Sequence, residues 1–171
     1  MKIAFEPLGN VADGITEKLR DRVGGVFNCA TETRAGLCNL ARAYNPQRKQ
    51  YSSSALLATL KKPEGEERVV GIAEVDLYVP RLSYVFGEAD ALSGRAIVSL
   101  CRLRQEYYGL APDEALVLER AAKEIVHELG HTFGLGHCSN SRCIMHFSNS
   151  LADTDVKEVN FCGRCRPKII L

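Results

Sequence analysis

Residues 127–138 contain three histidines at a spacing that suits a single metal ion. On a helix, His127 and His131 lie one turn apart on the same face, so both imidazoles can reach one ion. Gly134 permits a positive φ, so the helix can end there and the chain can turn back to bring His137 to that ion. Three neutral nitrogens leave tetrahedral zinc one open position, which is typical of catalytic rather than structural sites. The sequence therefore predicts a catalytic zinc on these histidines.

Glu128 follows the first of these histidines and would lie beside a water molecule that the zinc holds. Zinc lowers the pKa of such a water to about 7 and polarises an amide carbonyl, so it provides both a nucleophile and Lewis-acid catalysis. Glu128 can then take the proton of the water and pass it to the leaving amine, as general base and acid. These residues predict a zinc-dependent metallopeptidase. A chance pattern of exposed histidines on a polar helix face is the weaker alternative.

Four of the seven cysteines form a second group towards the C-terminus. They are Cys138, Cys143, Cys162 and Cys165, at spacings of x4, x18 and x2. This grouping suits a tetrathiolate zinc site, which raises the expected number of zinc ions to two per chain, one catalytic and one structural. Disulfides and a thioredoxin-like redox pair at 162–165 are weaker alternatives, because no export signal is evident and the pair does not open a helix after a core strand. The dispersed Cys29, Cys38 and Cys101 are predicted to be small buried hydrophobes.

His137 and Cys138 are adjacent in the sequence, so their side chains must diverge and one backbone segment serves both predicted metals. The segment between the thiolates also contains Met145. A C-terminal tail of this length has too little core to hold its shape alone, so metal binding there contributes directly to folding. We therefore hypothesise that Cys165→Ser weakens metal binding at the histidine site.

Met145 lies eight residues beyond His137, where the chain should pass beneath the metal. A methionine on its own is usually an ordinary core residue. The long His-Glu-x-x-His-x-x-Gly-x-x-His motif followed by this methionine, however, resembles the Met-turn arrangement of the metzincin clan. With cysteine pairs on both sides of the methionine, ending in Cys162-x-x-Cys165, the chain resembles the archaemetzincin family. The close match is confined to the motif region, and residues 1–126 match only in general layout.

The resemblance implies an α/β (α+β) fold with a metzincin-like mixed, mostly parallel five-stranded sheet and packed helices. It also implies an active-site helix and a small zinc-stapled C-terminal subdomain. In this arrangement the three histidines hold the catalytic zinc, the four cysteines hold the structural zinc, and Met145 forms a hydrophobic floor under the imidazoles. We expect residues 1–135 to form the N-terminal sheet and helix subdomain, ending in the active-site helix. Residues 136–171 would form the C-terminal subdomain.

The composition is that of one compact globular domain, or a domain with a small appendage. The chain has 171 residues and a formal net charge of +1, so no large field attracts it to nucleic acid or anionic lipid. The apolar run before Glu6 is too short for a signal peptide, and no apolar stretch is long enough to span a bilayer. We therefore predict a cytoplasmic protein without nucleic-acid or membrane partners. The basic residues near the thiolates are expected to be a solvated surface, since no aromatic residues alternate with them.

Hydrophobic periodicity predicts alternating strands and helices, which favours a mainly parallel sheet. The predicted strands are 2–5, 26–30, 69–76, 84–86 and 96–103. The predicted helices are one with Asp13 as N-cap that ends at Gly24-Gly25, one at 54–60, and a long one that opens at Pro112. Residues 31–51 are expected to be mostly loop. The short connections around 84–86 suggest an antiparallel strand at the sheet edge.

The function that these residues predict is hydrolysis of a peptide or polypeptide that lies along the edge strand near Tyr84–Gly87. A zinc-stabilised scaffold that binds peptide or protein ends with little or no turnover is the alternative. The presence of Glu128 favours catalysis, because a pure binding site needs no base. A zinc-ribbon-like nucleic-acid module is disfavoured by the charge and by the histidines. His146 receives no role, and the oligomeric state and the physiological substrate stay open.

Overall fold

The structure is a computed structural model and describes residues 1–12, 14–36 and 39–169. Its strands are β1 (Lys2–Leu8), β2 (Ala30–Thr33), β3 (Tyr44–Asn45), β4 (Gln50–Ser52), β5 (Glu67–Ala73), β6 (Leu77–Tyr78), β7 (Gly87–Asp90) and β8 (Arg95–Ser99). Its α-helices are α1 (Ile15–Phe27), α2 (Ser53–Leu57), α3 (Glu114–Thr132) and α4 (Leu151–Val156). Short 3-10 turns lie at Leu40–Ala43, Gln105–Tyr108 and Arg166–Lys168.

The main sheet has five strands in the order β2-β1-β5-β8-β7. Strand β1 runs parallel to β2 and to β5, β5 runs parallel to β8, and β7 runs antiparallel to β8 at the edge. The predicted mixed, mostly parallel five-stranded sheet is therefore confirmed. A second, small sheet has the order β3-β4-β6.

Both faces of the main sheet are covered, as is usual for parallel strands. On β1, Ile3 and Phe5 face a core that includes residues of α1 and α3, whereas Ala4 and Leu8 face a core that includes residues of α2. All four side chains are almost completely buried. The first of these cores supports the long helix that contains two of the predicted zinc ligands.

The first helix is longer than predicted, and the second strand begins later. Helix α1 continues through Gly24-Gly25 to Phe27, and β2 starts at Ala30 rather than at residue 26. The burial of Phe27 in the core holds the last helical turn in place despite the two glycines. The helix ends at Asn28, which adopts the left-handed conformation with φ 52°. The predicted N-cap Asp13 and the predicted buried Cys38 lie outside the described residues.

The edge strand has the predicted direction and position but is shifted along the chain. It spans Gly87–Asp90 instead of residues 84–86. Of the predicted segment, Val85 makes only an isolated antiparallel bridge to Leu77, and the Phe86 carbonyl accepts a hydrogen bond from the Ser99 N–H at 2.8 Å. Residues 84–86 therefore form the approach to the strand, and they line a cavity together with His127 and Glu128.

The remaining differences between the structure and the prediction concern the ends of strands and helices and the content of one predicted loop. Strands β5 and β8 end earlier than predicted, because the chain turns immediately after them while burying apolar residues such as Leu100 and Leu103. Helix α2 is shorter than residues 54–60, and the loop predicted for 31–51 contains β3, β4 and a 3-10 turn. Among the described helices, none combines the length and the hydropathy that crossing a bilayer would require.

Candidate functional site

Helix α3 begins at Glu114, after Asp113 as N-cap, and not at Pro112 as predicted. The Asp113 carboxylate accepts a hydrogen bond from the Leu116 N–H at 2.9 Å, which satisfies one of the free amides of the first turn. One face of the helix packs into the core through a stripe of apolar residues at helical spacing, Leu118, Ala122, Ile125 and Leu129, all of which are buried. This packing fixes the orientation of the helix against the sheet.

Helix α3 ends at Thr132, just before Gly134, where the sequence predicts that the helix can end. Gly134 has a φ of +80°, and the Leu135 N–H donates back to the Gly130 carbonyl at 3.2 Å. The chain reverses there and brings His137 next to His127 and His131. One possible ligand atom from each of the three residues lies within 4.8 Å of the others. The structure thus brings together all three histidines that the sequence selected.

The hydrogen bonds of the two helical histidines fix which nitrogen is free. Nδ1–H of His127 donates to the Ile144 carbonyl, and Nδ1–H of His131 donates to the Leu135 carbonyl, each at 2.7 Å. The two Nε2 atoms therefore have free lone pairs, and they lie 3.1 Å apart. Two lone pairs at this distance repel each other unless they share a cation. The donor set therefore fits a metal ion, and the carbonyls that orient the rings are partners of the kind found around metal-bound histidines.

Protonation does not compete with a metal at His127 near neutral pH. Burial lowers the pKa of His127 to about 3, and the positive charge of Lys157 acts in the same direction. Burial also lowers the pKa of His137, and the neighbouring His131 adds to this effect. Neutral imidazoles are the form that binds zinc.

Glu128 lies at the same end of the helix as His127 and is only 7 % exposed. Both residues line one cavity of about 240 Å³. Burial raises the pKa of Glu128 well above its ordinary value, and the nearby Glu124 carboxylate raises it further. A cation at the histidines would act in the opposite direction. Glu128 is thus a buried carboxyl group with a raised affinity for a proton, and it lies in the same cavity as His127.

The thiol groups of Cys138, Cys143, Cys162 and Cys165 also meet, with all four sulfurs within 4.8 Å of one another. The Cys138 and Cys162 sulfurs are 3.9 Å apart, close to the roughly 3.8 Å that tetrahedral zinc with bonds of about 2.3 Å to sulfur would require. All four are free thiols, so the disulfide alternative is not what the structure contains. The N–H groups of Arg164 and Cys165 lower the pKa of Cys162 to about 6. The donors fit one metal ion.

A family comparison identifies the chain. The sequence model of the family described as "Peptidase family M54" matches residues 5–170. The chain belongs to peptidase family M54. The archaemetzincin of Methanocaldococcus jannaschii is 42 % identical over 99 % of this chain and 93 % of the relative, and that of Archaeoglobus fulgidus is 37 % identical over 99 % of each. The predicted membership of the archaemetzincins is confirmed.

Solved structures of M54 relatives share the whole fold. A zinc-dependent peptidase from Methanocorpusculum labreanum superposes with a TM-score of 0.89 at 30 % identity, over 98 % of this chain and 100 % of that chain. An archaemetzincin from Archaeoglobus fulgidus complexed with malonate gives a TM-score of 0.86 at 38 % identity, over 99 % of this chain and 100 % of that chain. As a family M54 member the chain is a zinc metallopeptidase, and its substrates are peptides.

Met145 is completely buried beneath the histidine-bearing helix of this M54 chain. A methyl group at Gly130 would lie 2.3 Å from the Met145 sulfur and 3.2 Å from Phe161 Cε1, so this glycine allows the thioether to touch the helix backbone. The Met145 carbonyl accepts a hydrogen bond from the Cys138 N–H at 2.8 Å. The methionine thus contacts the active-site helix and is tied to the cysteine cluster.

We expect Gly130→Ala to lower the free energy of unfolding by about 1–3 kcal/mol, because the added methyl group forces Met145 out of its packing position. Urea unfolding of the zinc-loaded chain measures this change. Gly25→Ala is the matched control, since Gly25 is also helical and has open space around it. Equal stability of the two variants would contradict the close contact.

Gly87 allows the edge strand to approach the Glu128 carboxylate. A methyl group at Gly87 would lie 2.7 Å from Glu128 Cγ and 2.7 Å from the Ile97 carbonyl oxygen. The Ile97 carbonyl is part of the sheet and cannot shift without disturbing it, so the Glu128 side chain must move.

We expect Gly87→Ala to lower kcat by about 10²-fold, the typical effect when a catalytic group is misplaced by about 1 Å. Steady-state kinetics on one peptide tests this, and unchanged zinc content shows that the metal site is intact. Unchanged kcat would contradict the contact.

Several residues at the site were not found from the sequence. Glu124 and Lys157 form a buried ion pair at 2.9 Å, and the Thr154 hydroxyl donates to the same Glu124 oxygen at 3.0 Å. No sequence motif connects these residues, because the pair forms only when α3 packs against the C-terminal segment. Likewise, His146 donates from Nδ1 to the Cys138 carbonyl at 2.8 Å, so its ring braces the chain beside the triad.

The cysteines outside the cluster are only partly as predicted. Cys29 and Cys101 are half-buried rather than fully buried. Burial raises the pKa of both thiols, that of Cys101 to about 11, so they are neutral at pH 7. Neither belongs to a group of possible metal ligands in the described part of the chain.

Proposed function

We propose that His127, His131 and His137 hold the catalytic zinc of this peptidase and that Glu128 is its general base. The main support is the pair of Nε2 atoms at 3.1 Å, whose rings are oriented by backbone carbonyls so that both lone pairs face the same point. The third histidine reaches this point because the chain reverses at Gly134.

When bound, zinc would polarise the substrate carbonyl and lower the pKa of the attacking water. Glu128 accepts a proton from that water and then donates it to the amine that leaves when the peptide C–N bond breaks. Its burial excludes bulk water, which would otherwise compete for the proton. Gly87 leaves the space that this carboxylate occupies.

The substrate backbone pairs with the outer edge of β7. The Phe86 carbonyl points towards β8, where it accepts a hydrogen bond from the Ser99 N–H. Successive residues of a strand direct their backbone N–H and C=O groups to opposite sides, so those of Gly87 and Ala89 point away from β8. An extended peptide can add to such an edge as a further strand. Because Gly87 lies against Glu128, a peptide paired there has its backbone next to the catalytic carboxylate.

A second zinc, on Cys138, Cys143, Cys162 and Cys165, brings the number of ions to two per chain. Burial raises the pKa of Cys165 to about 12, so this thiol becomes an anion near neutral pH only if a cation stabilises it. We also propose that residues 136–171 act as a subdomain held by this ion, beneath the unit formed by residues 1–135. The cytoplasmic location and the absence of nucleic-acid and membrane partners stay predictions.

The test is digestion of a broad peptide library by metal-free chain, zinc-loaded chain and zinc-loaded His137→Ala. His137 is exposed, so its removal costs little packing. We expect cleavage only by the zinc-loaded wild type, and about one zinc less per chain in the variant. His146→Ala is the control, because its ring lies outside the triad, and it should retain most of the activity. Undiminished cleavage by His137→Ala would refute the assignment, and peptide binding without cleavage by any form would support the scaffold alternative.

A further inference from the structure

The cavity that contains Glu128 has two walls. It is about 240 Å³ and opens beside Glu128. One wall is the segment 82–87 that leads into β7, and the other is the segment 147–149. The Tyr84 hydroxyl donates a hydrogen bond to the Asn149 carbonyl at 3.0 Å, which joins the walls. The volume lies below the roughly 300–1,000 Å³ of drug-sized sites, so the cavity suits one side chain.

The cavity contains a second carboxylate, that of Glu124, which the proposed chemistry does not use. Glu124 lies one helical turn before Glu128 and is 3 % exposed. Its Oε1 accepts both the Lys157 and the Thr154 hydrogen bonds, and no group in the described part of the chain donates to Oε2. Oε2 is also not among the buried atoms without a partner, so it has some exposure, and Glu124 is one of the residues that line the cavity.

The lining favours a long side chain that ends in a donor. The rings of Tyr84, Phe86 and Phe147 line the cavity and can pack against an aliphatic stem. No lysine or arginine is among the described residues that line it. Lys157 contacts Glu124 only through Oε1, which leaves Oε2 without a donor among the described residues. An acidic side chain would meet this oxygen and the Glu128 carboxylate, whereas a lysine or arginine could donate to Glu124 Oε2.

We propose that this cavity receives the substrate side chain next to the cleaved bond and that Glu124 makes it selective for lysine or arginine. The proposal rests on the proposed function, because it requires that peptides be cleaved at Glu128. Glu124 is here a specificity-determining residue. A hydrogen bond to a charged group implies a preference of about tenfold to a hundredfold over an apolar side chain of equal length. Acidic side chains are rejected.

The variant must remove the selecting charge without leaving a buried ion unpaired. Glu124→Gln alone would leave Lys157 buried without its partner, which is strongly destabilising. The double variant Glu124→Gln/Lys157→Met removes both charges, keeps similar volumes and keeps an amide carbonyl to accept from Thr154. Glu114→Gln is the matched control, because Glu114 is an exposed carboxylate on the same helix and its partner Lys18 is exposed as well.

The experiment is mass-spectrometric identification of all cleavage sites in a peptide library, for zinc-loaded wild type, double variant and control. Kinetics on a peptide pair with lysine or norleucine at the selected position gives the ratio of kcat/KM. We expect lysine or arginine to be enriched at one position beside the cleaved bond in wild type and control, and the kcat/KM ratio to fall towards one in the double variant. Each kcat/KM ratio compares two peptides cleaved by the same protein. A general loss of activity lowers both values equally and leaves the ratio unchanged.

Two results would overturn the proposal and leave the peptidase assignment intact: cleavage by wild type without a basic preference, or a preference that persists in the double variant. If the zinc-loaded wild type cleaves no peptide, the proposed function fails and this proposal fails with it. If the double variant does not fold, the affinities of the lysine and norleucine peptides for Glu128→Gln are measured instead. Equal affinities would refute the selectivity.

Discussion

Glu128→Gln is expected to lower kcat by about 10²–10⁴-fold while leaving the zinc content unchanged. Glutamine has nearly the same shape, so it fits the space that Gly87 leaves, but its amide cannot take a proton from the attacking water. The substrate should still bind, so KM should change much less than kcat. Steady-state kinetics on a single peptide, together with metal analysis, measures both quantities.

Glu114→Gln is the control for this comparison. It makes the same chemical change on an exposed carboxylate of the same helix, whose partner Lys18 is also exposed. The control should have the activity of the wild type, because surface substitutions of this kind have small effects. If Glu128→Gln were as active as Glu114→Gln, Glu128 could not be the general base, and another group would have to accept the proton.

Cys165→Ser is expected to release the zinc of the cysteine cluster and to weaken zinc binding at the histidines by about 10–100-fold. Residues 138–145 contact both the histidines and the cysteine cluster. The Ile144 carbonyl accepts from His127, and the Cys138 N–H donates to the Met145 carbonyl. Loss of the ion that holds this segment therefore loosens a partner of one histidine and the floor below the helix.

The free energy of unfolding should fall as well, because the binding of structural zinc contributes to folding. In isolated zinc-finger peptides the apparent binding free energy is about 10–16 kcal/mol. We expect a decrease of several kcal/mol, less than in those peptides, since the sheet has its own core. Chelator competition gives the zinc affinity of each site, and urea unfolding gives the stability. Cys101→Ser is the control, as this half-buried cysteine lies outside the cluster. An unchanged histidine-site affinity in Cys165→Ser would show that the two sites are independent.

The site was easier to predict than the strands around it, and the reason is physical. His127 and His131 are placed by helix periodicity alone, and Gly134 determines where the helix can end. These are local properties that a sequence displays directly. The position of the cysteine cluster follows from its spacing, since four thiolates so close in the chain have few other arrangements.

The unpredicted parts depend on contacts between distant segments. Residues 84–86 and 87–90 are both compatible with a strand, and only pairing with β8 selects Gly87–Asp90. The Glu124–Lys157 pair joins residues 33 positions apart and leaves no pattern in either segment. The continuation of α1 through two glycines is likewise decided by the burial of Phe27, not by local propensity.

The proposed arrangement has one zinc among three imidazoles beside Glu128 and a second zinc among four sulfurs. Anomalous diffraction at the zinc absorption edge from crystals of the zinc-loaded chain tests it most directly. We expect two peaks, one contacted by ring nitrogens of His127, His131 and His137 and one contacted by the four cysteines. A single peak at the sulfurs, with the three imidazoles turned away from one another, would contradict the claim.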